Sequence, residues 1–395
     1  MSQIACPYCY HRIDSNRLWF QCTGRGAAGR PGCTPVVDEA RVAETGFNEP
    51  VRRVFAPPYG IKNRKAACPQ CYAISGIRAC SCCHTTLSAN FGGSNSPLIA
   101  MVGAKGTGKT VYLTVLANAL RSTLRRRFSA SVQISGDGRG GVGSPLLWLE
   151  TNVKQLFTHH ELAAATAPTL SGRRDPLVFE WRQERTVAGF ISRYRTSFLS
   201  FYDTAGEDLS SQQSAHDQAY IGAADALILL LDPFMLPQAR ERIHLPTSAI
   251  LSDEGTIDVV SRLTEQLRAS HSVNPVKKIQ IPVAVAFAKI DAFFDLLGDD
   301  HPLVRSTSPL HGAYDEADGE MVHEQVRSLL HEWSADDIDI HMSYNYSHFR
   351  YFAVSALGHQ PDYDTATIRD GVYPHRVEDP LVWLLSQFNV VARQG

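Results

Sequence analysis

All nine cysteines of the 395-residue chain fall within its first 83 positions, where their thiols could bind metal or crosslink. Thiols stay reduced in a cytosolic chain, so clustering of this kind points to metal. Cys6-Pro7-Tyr8-Cys9 and Cys68-Pro69-Gln70-Cys71 are knuckles, tight turns that aim two thiolates at one ion. The spacing gives two tetrahedral zinc sets, Cys6, Cys9, Cys22 and Cys33, then Cys68, Cys71, Cys80 and Cys83, with Cys82 left over. His11 is an alternative ligand in the first set, and His84 or Cys82 in the second. A cross-braced exchange of pairs is a further arrangement. These segments are too short to bury a core, so bound metal is expected to supply their folding energy.

A second chemistry begins at Gly103. Gly103-Ala104-Lys105-Gly106-Thr107-Gly108-Lys109-Thr110 matches G-x-x-x-x-G-K-[ST] without a departure. Its glycines let backbone N–H groups curl around phosphates, and a helix N-terminus adds a favourable dipole. Lys109 is placed to reach the β- and γ-phosphates, and the Thr110 hydroxyl to ligate Mg2+. The loop needs a strand before it and a helix after it. Residues 96–102 read as the strand. Leu113, Leu116, Leu120 and Leu124 fall on helical spacing, with Arg125-Arg126-Arg127 at the C-terminal end. Gly138 to Gly143 also fits a glycine pattern, but it reads as a connector, with Ser144-Pro145 opening the next helix.

Further apolar runs end in residues that extend the pattern. Phe198 to Tyr202 leads into Asp203-Thr204-Ala205-Gly206; 224–232 and 281–288 are buried-strand runs, the second followed by Lys289-Ile290-Asp291; and 351–357 ends in Ser355-Ala356-Leu357. Asp379-Pro380 opens a closing apolar helix. In this order the segments resemble a Ras-like GTPase of the TRAFAC class over about residues 96–392. Zinc knuckles ahead of such a domain are similar to the zinc-ribbon-bearing bacterial double-GTPase group. The fold expected is α/β, a mostly parallel sheet with helices on both faces, preceded by small zinc modules. The expected division is a knuckle module at 1–45, a ribbon at 60–92 and the GTPase domain at 93–395, with insertions near 233–280 and 292–349.

The resemblance also implies roles. Nucleotide would be held by Gly103 to Thr110 with Val111, by Asp203 and Gly206, by Lys289 and Asp291 at the base, and by Ser355, Ala356 and Leu357. Magnesium would be held by Thr110, Thr169 and Asp203, with Thr166 the rival for the switch threonine. Lys109, Thr169, Gly206 and Glu207 would serve hydrolysis, and Arg173 and Arg174 read as solvated loop residues. Two departures matter. Ala288 stands where the base motif carries Asn or Thr, which weakens guanine choice and leaves ATP open. Glu207 stands where a water-orienting Gln is usual, and its carboxylate beside a γ-phosphate implies slow turnover without an activating partner.

Composition excludes a disordered or membrane-embedded chain: 44% of residues are hydrophobic and 20% charged. The longest apolar runs are far short of a spanning helix. The first residues also lack a signal peptide's regions, so a cytoplasmic location is expected. Net charge is −2, but residues 1–80 carry 11 basic and 5 acidic side chains, whereas 291–340 carry 2 and 13. Two zinc tetrathiolates offset much of the first excess. Protein docking through the zinc module is therefore favoured over nucleic acid. The function expected is a GTP-binding, slowly hydrolysing switch with GTP or GDP, Mg2+ and Zn2+ bound, and an activator or effector as partner. The alternative is a non-hydrolysing nucleotide-binding scaffold or a zinc-dependent nucleic-acid binder with relaxed GTP/ATP choice.

Overall fold

The computed structural model describes residues 3–58, 64–91, 97–135, 144–162, 176–187, 191–201, 215–245, 249, 255–305 and 309–395. The chain forms two compact units, each assembled from separated stretches. The first comprises Met1–Leu98, Ser131–Leu147 and Thr169–Phe201; the second comprises Ile99–Ala130, Trp148–Pro168 and Tyr202–Gly395.

In the first unit each C-x-x-C pair tips its own short hairpin. The hairpins are Gln3–Ala5 with Arg12–Asp14, Ala66–Ala67 with Ile74–Ser75, and Arg78–Ala79 with Thr86–Leu87. Val54–Phe55, Trp19–Gln21, Arg78–Ala79 and Thr86–Leu87 make an antiparallel sheet in that order. Helix Glu39–Thr45 starts at Asp38, whose carboxylate accepts from the Arg41 N–H, and stops at Gly46 in the left-handed conformation. A long hairpin completes the unit. Leu177–Val187 and Ile191–Phe201, rich in Val, Phe, Trp and Tyr, pair from Leu177↔Phe201 to Val187↔Ile191. Ala130–Ser135 lies on the outer edge of its first strand.

The second unit is mixed α/β. Four parallel strands stand in the order Phe349–Ala353, Val283–Phe287, Ala226–Leu231, Ile99–Gly103. Ile99–Gly103, Ala226–Leu231 and Val283–Phe287 are buried throughout, as near-continuous apolar sequences covered on both faces require. Helix Lys109–Arg121 packs on Ile99–Gly103, Glu316–Glu332 on Phe349–Ala353, and Asp379–Gln387 on Val283–Phe287. The stripe of Val322, Val326, Leu329, Leu330 and Trp333 is buried, as core-facing residues must be.

Two details depart from the sequence reading. The helix after the glycine loop breaks at Ser122, and a short helix, Thr123–Arg127, carries Leu124. The units also do not follow the divisions at 45, 60 and 93. The hairpin 177–201 buries Val178 and Phe198 in the same cluster as Cys6, Cys9, Cys80 and Cys83, so it belongs with the cysteine module. The stretches 233–280 and 292–349 supply Thr256–Ser270, Glu316–Glu332 and Asp336–Asn345, regular helices of the second unit.

Candidate metal centres and ligand cavity

The sulfur atoms gather in two groups of four. Cys6, Cys9, Cys80 and Cys83 form centre A; Cys22, Cys33, Cys68 and Cys71 form centre B; ligand atoms within each lie within 4.8 Å of one another. Sγ–Sγ separations are 3.8 Å for Cys6–Cys83, Cys9–Cys80 and Cys33–Cys68, and 3.4 Å for Cys22–Cys71. These are far too long for disulfides. A tetrahedron with metal–sulfur bonds of about 2.3 Å has edges of about 3.8 Å. Burial pushes the Cys6 thiol well above its ordinary range, and that of Cys33 up to about 12, with the neighbouring sulfurs adding to both. Four thiolates can share either volume only around a cation, so both groups could hold zinc.

The knuckle backbone explains the convergence. Cys6 N donates to His11 O and Tyr10 N to Cys6 O; Cys68 N to Ala73 O and Tyr72 N to Cys68 O; Cys80 N to Thr85 O. After each second cysteine the chain turns back through a left-handed residue, at φ 63° for Tyr10, 55° for Tyr72 and 55° for His84. Backbone N–H groups also point at sulfur, from Gly24 to Cys22 and from Cys82 to Cys80, each at 3.3 Å.

The eight cysteines are those the sequence suggested, and they stand in the cross-braced exchange of pairs, not in the sequential partition expected first. Cys6 and Cys9 do not join Cys22 and Cys33, and Cys68 and Cys71 do not join Cys80 and Cys83. The pairs are nested, outer with outer and inner with inner. Trp19–Gln21 lies between Val54–Phe55 and Arg78–Ala79, and it delivers Cys22 into the cluster of Phe20, Ala66, Cys68 and Ala73. His84 is no ligand: its Nδ1 sits 2.8 and 2.9 Å from the two Asp38 carboxylate oxygens, and its ring packs on Trp19. His11 lies beside Cys9 with Glu44 3.4 Å away, outside a set already complete with four sulfurs. Cys82 is half-buried against centre A.

Centre A is sealed by the long hairpin. Ser200 Oγ donates to Pro7 O inside the first knuckle at 3.3 Å. Glu180 accepts from Ser88 Oγ and Asn90 Nδ2, both at 2.8 Å, and Phe91 meets Phe198 edge-on. Sequence reading missed this hairpin as part of the metal module, because nothing in its composition marks what its second face covers.

In the second unit Gly103–Thr110 forms a strand–loop–helix turn. Lys109 is buried and donates to Gly103 O at 2.7 Å and Ala104 O at 2.9 Å, while Thr107 Oγ1 donates to Ala104 O. Local backbone needs account for the glycines. A Cβ at Gly103 would meet Leu230 O at 2.6 Å, and Gly108 takes φ +88°. Lys105 is exposed and Thr110 half-buried. A cavity of about 190 Å³ adjoins the loop. Its lining brings together Gly106, Thr107, Gly108, Val111, Lys289, Asp291, Ser355, Ala356 and Leu357, although they lie far apart in sequence. Gly103, Ala104, Lys105, Lys109 and Thr110 do not line it. Burial raises the Asp291 carboxyl, partly offset by the Ser355 hydroxyl. Thr166, Thr169, Arg173, Arg174, Asp203, Gly206 and Glu207 lie outside the described residues, as does Gly138–Gly143.

Three groups of this site were not anticipated. Asp232 caps the turn Pro233–Met235 and takes the Lys289 ammonium at 2.6 Å. The Asp-Pro step closing a buried strand was the available signal. His359 and Tyr363 line the cavity from a segment without regular elements, and nothing local in the sequence places them there.

No family model matches the chain. It is 28% identical, over a 428-residue alignment covering 98% of this chain and 99% of the relative, to a Mycolicibacterium smegmatis protein provisionally described as the ESX-1 scaffolding and assembly protein SaeC. That finding overturns the expectation of a Ras-like, TRAFAC-class GTPase. A protein that aligns end to end with this chain is described by scaffolding and assembly, neither as a GTP-hydrolysing enzyme nor as a nucleotide-driven switch. The geometry removes part of the motif's force as well. The glycines answer local packing, Ala288 offers no side-chain group to a base, and Lys289 is engaged by Asp232 and by Gly106 O at 2.8 Å. Magnesium was expected only as part of that GTPase reading and falls with it. No helix among the described residues is long and apolar enough to cross a membrane.

Proposed function

We propose that the chain is a non-catalytic scaffold for a multi-protein, ESX-1-type assembly, with a zinc-held first unit as its docking element. The observation that carries this reading is the end-to-end alignment with a relative described as a scaffolding and assembly protein. The cysteine module supports it. Its two centres fix short hairpins that could not bury a core of their own, giving a rigid platform.

The loop Gly103–Thr110 and its adjoining cavity are read as the seat of a phosphate-bearing small molecule that is held and not turned over. Backbone N–H groups of Gly106, Thr107 and Gly108, which line the cavity, would take the phosphates, with Lys109 reaching them on leaving Gly103 O and Ala104 O, and Asp291 and Ser355–Leu357 would take the remainder.

The scaffold reading is tested in cells of the source organism by deleting the chain and following co-sedimentation of the assembly's components. Deletion is expected to disperse them, and the wild-type chain to restore them. Components that co-sediment equally without the chain would sink the reading. The ligand seat is tested separately by calorimetry with inorganic triphosphate and nucleoside triphosphates, with Lys109→Ala as control. Binding that ignores the substitution removes the loop from the proposal.

A further inference from the structure

The three knuckles share a backbone but differ in what they show to solvent. The left-handed residue is Tyr10 in the first, 3% exposed, and His84 in the third, held by Asp38. In the second it is Tyr72, 51% exposed. Two residues further along, the first and third knuckles carry Arg12 and Thr86, whereas the second carries Ile74 at 68% exposure. Centre A is covered and centre B presents an apolar pair. A single exposed apolar residue is ordinary; these two, however, stand among unneutralised cations.

Arg25, Arg30, Arg52, Arg53, Arg64 and Lys65 are exposed, and none has a carboxylate partner among the described residues. Arg30 stacks over the Tyr72 ring at 4.1 Å, Arg53 donates to Gln70 Oε1 at 3.1 Å, and Arg52 donates to Thr23 O. These contacts tie the guanidinium groups to the loop and knuckle of centre B. The only acid in the stretches 20–34 and 49–78 is Glu49. A metal tetrathiolate of about −2 leaves the face positive. Arginine and tyrosine around an apolar centre is the make-up of an interface core.

We propose that this face, the Tyr72–Ile74 ridge within its ring of arginines, is the docking surface for an acidic protein segment. The segment supplies carboxylates to the guanidinium groups and an apolar side chain to the ridge. Charge complementarity selects an acidic occupant. The aliphatic Ile74 selects polypeptide over a nucleic-acid strand, which needs open aromatic faces for its bases, whereas Tyr72 already lies under Arg30. The inference deepens the scaffold reading and rests on it.

The test uses the purified, zinc-loaded full chain and fluorescence anisotropy. One probe is a labelled Asp/Glu-rich peptide with a central Leu-Phe pair; the other is a single-stranded oligodeoxynucleotide of equal net charge. Arg30→Glu with Arg64→Glu is expected to weaken peptide binding about tenfold or more. Ile74→Ser should weaken it severalfold. The same charge change elsewhere, Lys154→Glu with Arg393→Glu, should leave binding within about twofold. Zinc content confirms that each variant is folded. Absence of peptide binding, equal loss in the control pair, or DNA binding as tight as peptide binding would each overturn the proposal. These measurements need no assembly, so their failure is distinguishable from a failure of the co-sedimentation test.

Discussion

Cys9 and Cys80 bring their sulfur atoms to 3.8 Å across 71 positions of sequence. Two zinc ions per chain are therefore expected by elemental analysis. Cys80→Ser should leave one, and it should also raise hydrogen exchange in the hairpin 177–201, whose Val178 and Phe198 pack in the centre A cluster. Cys68→Ser should also leave one ion but spare the hairpin. Each lost site forfeits an apparent binding free energy of about 10–16 kcal/mol that otherwise favours the folded module. Cys82→Ser should keep both ions; loss of one would show that the wrong four sulfurs have been assigned.

Centre B should release its ion first. As a residue Cys33 is half-buried, whereas all four cysteines of centre A are buried and the hairpin packs in their cluster. With a chromogenic chelator, release should occur in two phases, the faster one absent from Cys68→Ser. A single phase common to both ions would contradict the assigned difference in burial.

Asp232 is 2% exposed and holds the Lys289 ammonium, which also lies over the Phe234 ring. Asp232→Ala leaves that ammonium without its carboxylate and uncaps the turn Pro233–Met235. A loss of about 3 kcal/mol is expected, read as a lower urea midpoint at unchanged slope. Asp232→Asn should recover part of it, because the amide oxygen still caps Phe234 N.

His323 gives the second unit an acid limb. Its Nδ1 accepts from Tyr351 N at 3.0 Å, a bond that a second ring proton would abolish. Burial lowers its proton affinity against the opposing pull of Glu320 and Glu324, with Arg350 and Arg327 lowering it further. The unfolded chain therefore binds the proton at higher pH than the folded one. The stability is present above about pH 6.5 and is lost as pH falls towards and through the lowered folded value. Hydrogen exchange at the Tyr351 amide should rise over that interval, and His323→Asn, which retains an acceptor, should flatten the rise. An unchanged profile in the variant would assign the acid limb elsewhere.

The sequence exposed the chemistry-bearing residue types more readily than their partners. Buried strands such as Ala226–Leu231 and Val283–Phe287 were legible because parallel strands covered on both faces must be apolar throughout. The eight cysteines were legible as ligands from type and spacing. Their partition was not, since it depends on Trp19–Gln21 pairing with Arg78–Ala79, a non-local choice that no spacing encodes. The glycine loop was legible as a turn, but its motif was read too far. Gly103 and Gly108 satisfy a close strand contact and a left-handed φ, needs that do not depend on turnover. His359 and Tyr363 reach the cavity from irregular backbone, where side-chain direction follows tertiary packing alone.

The nested order of the two centres also sets a schedule for a chain that is still being made. Cys22, Cys33, Cys68 and Cys71 are all synthesised before Cys80, so the inner ion can be captured while the outer set is still incomplete. The outer pair then closes around a finished inner loop, and no strand has to be threaded through another. The covering hairpin follows about a hundred residues later, so centre A has an interval of open access to metal that ends only when residues 177–201 emerge and pack. A ribosome-bound chain from which Cys83 has emerged but residues 177–201 have not should therefore carry two zinc ions, the one in centre A still accessible to chelator.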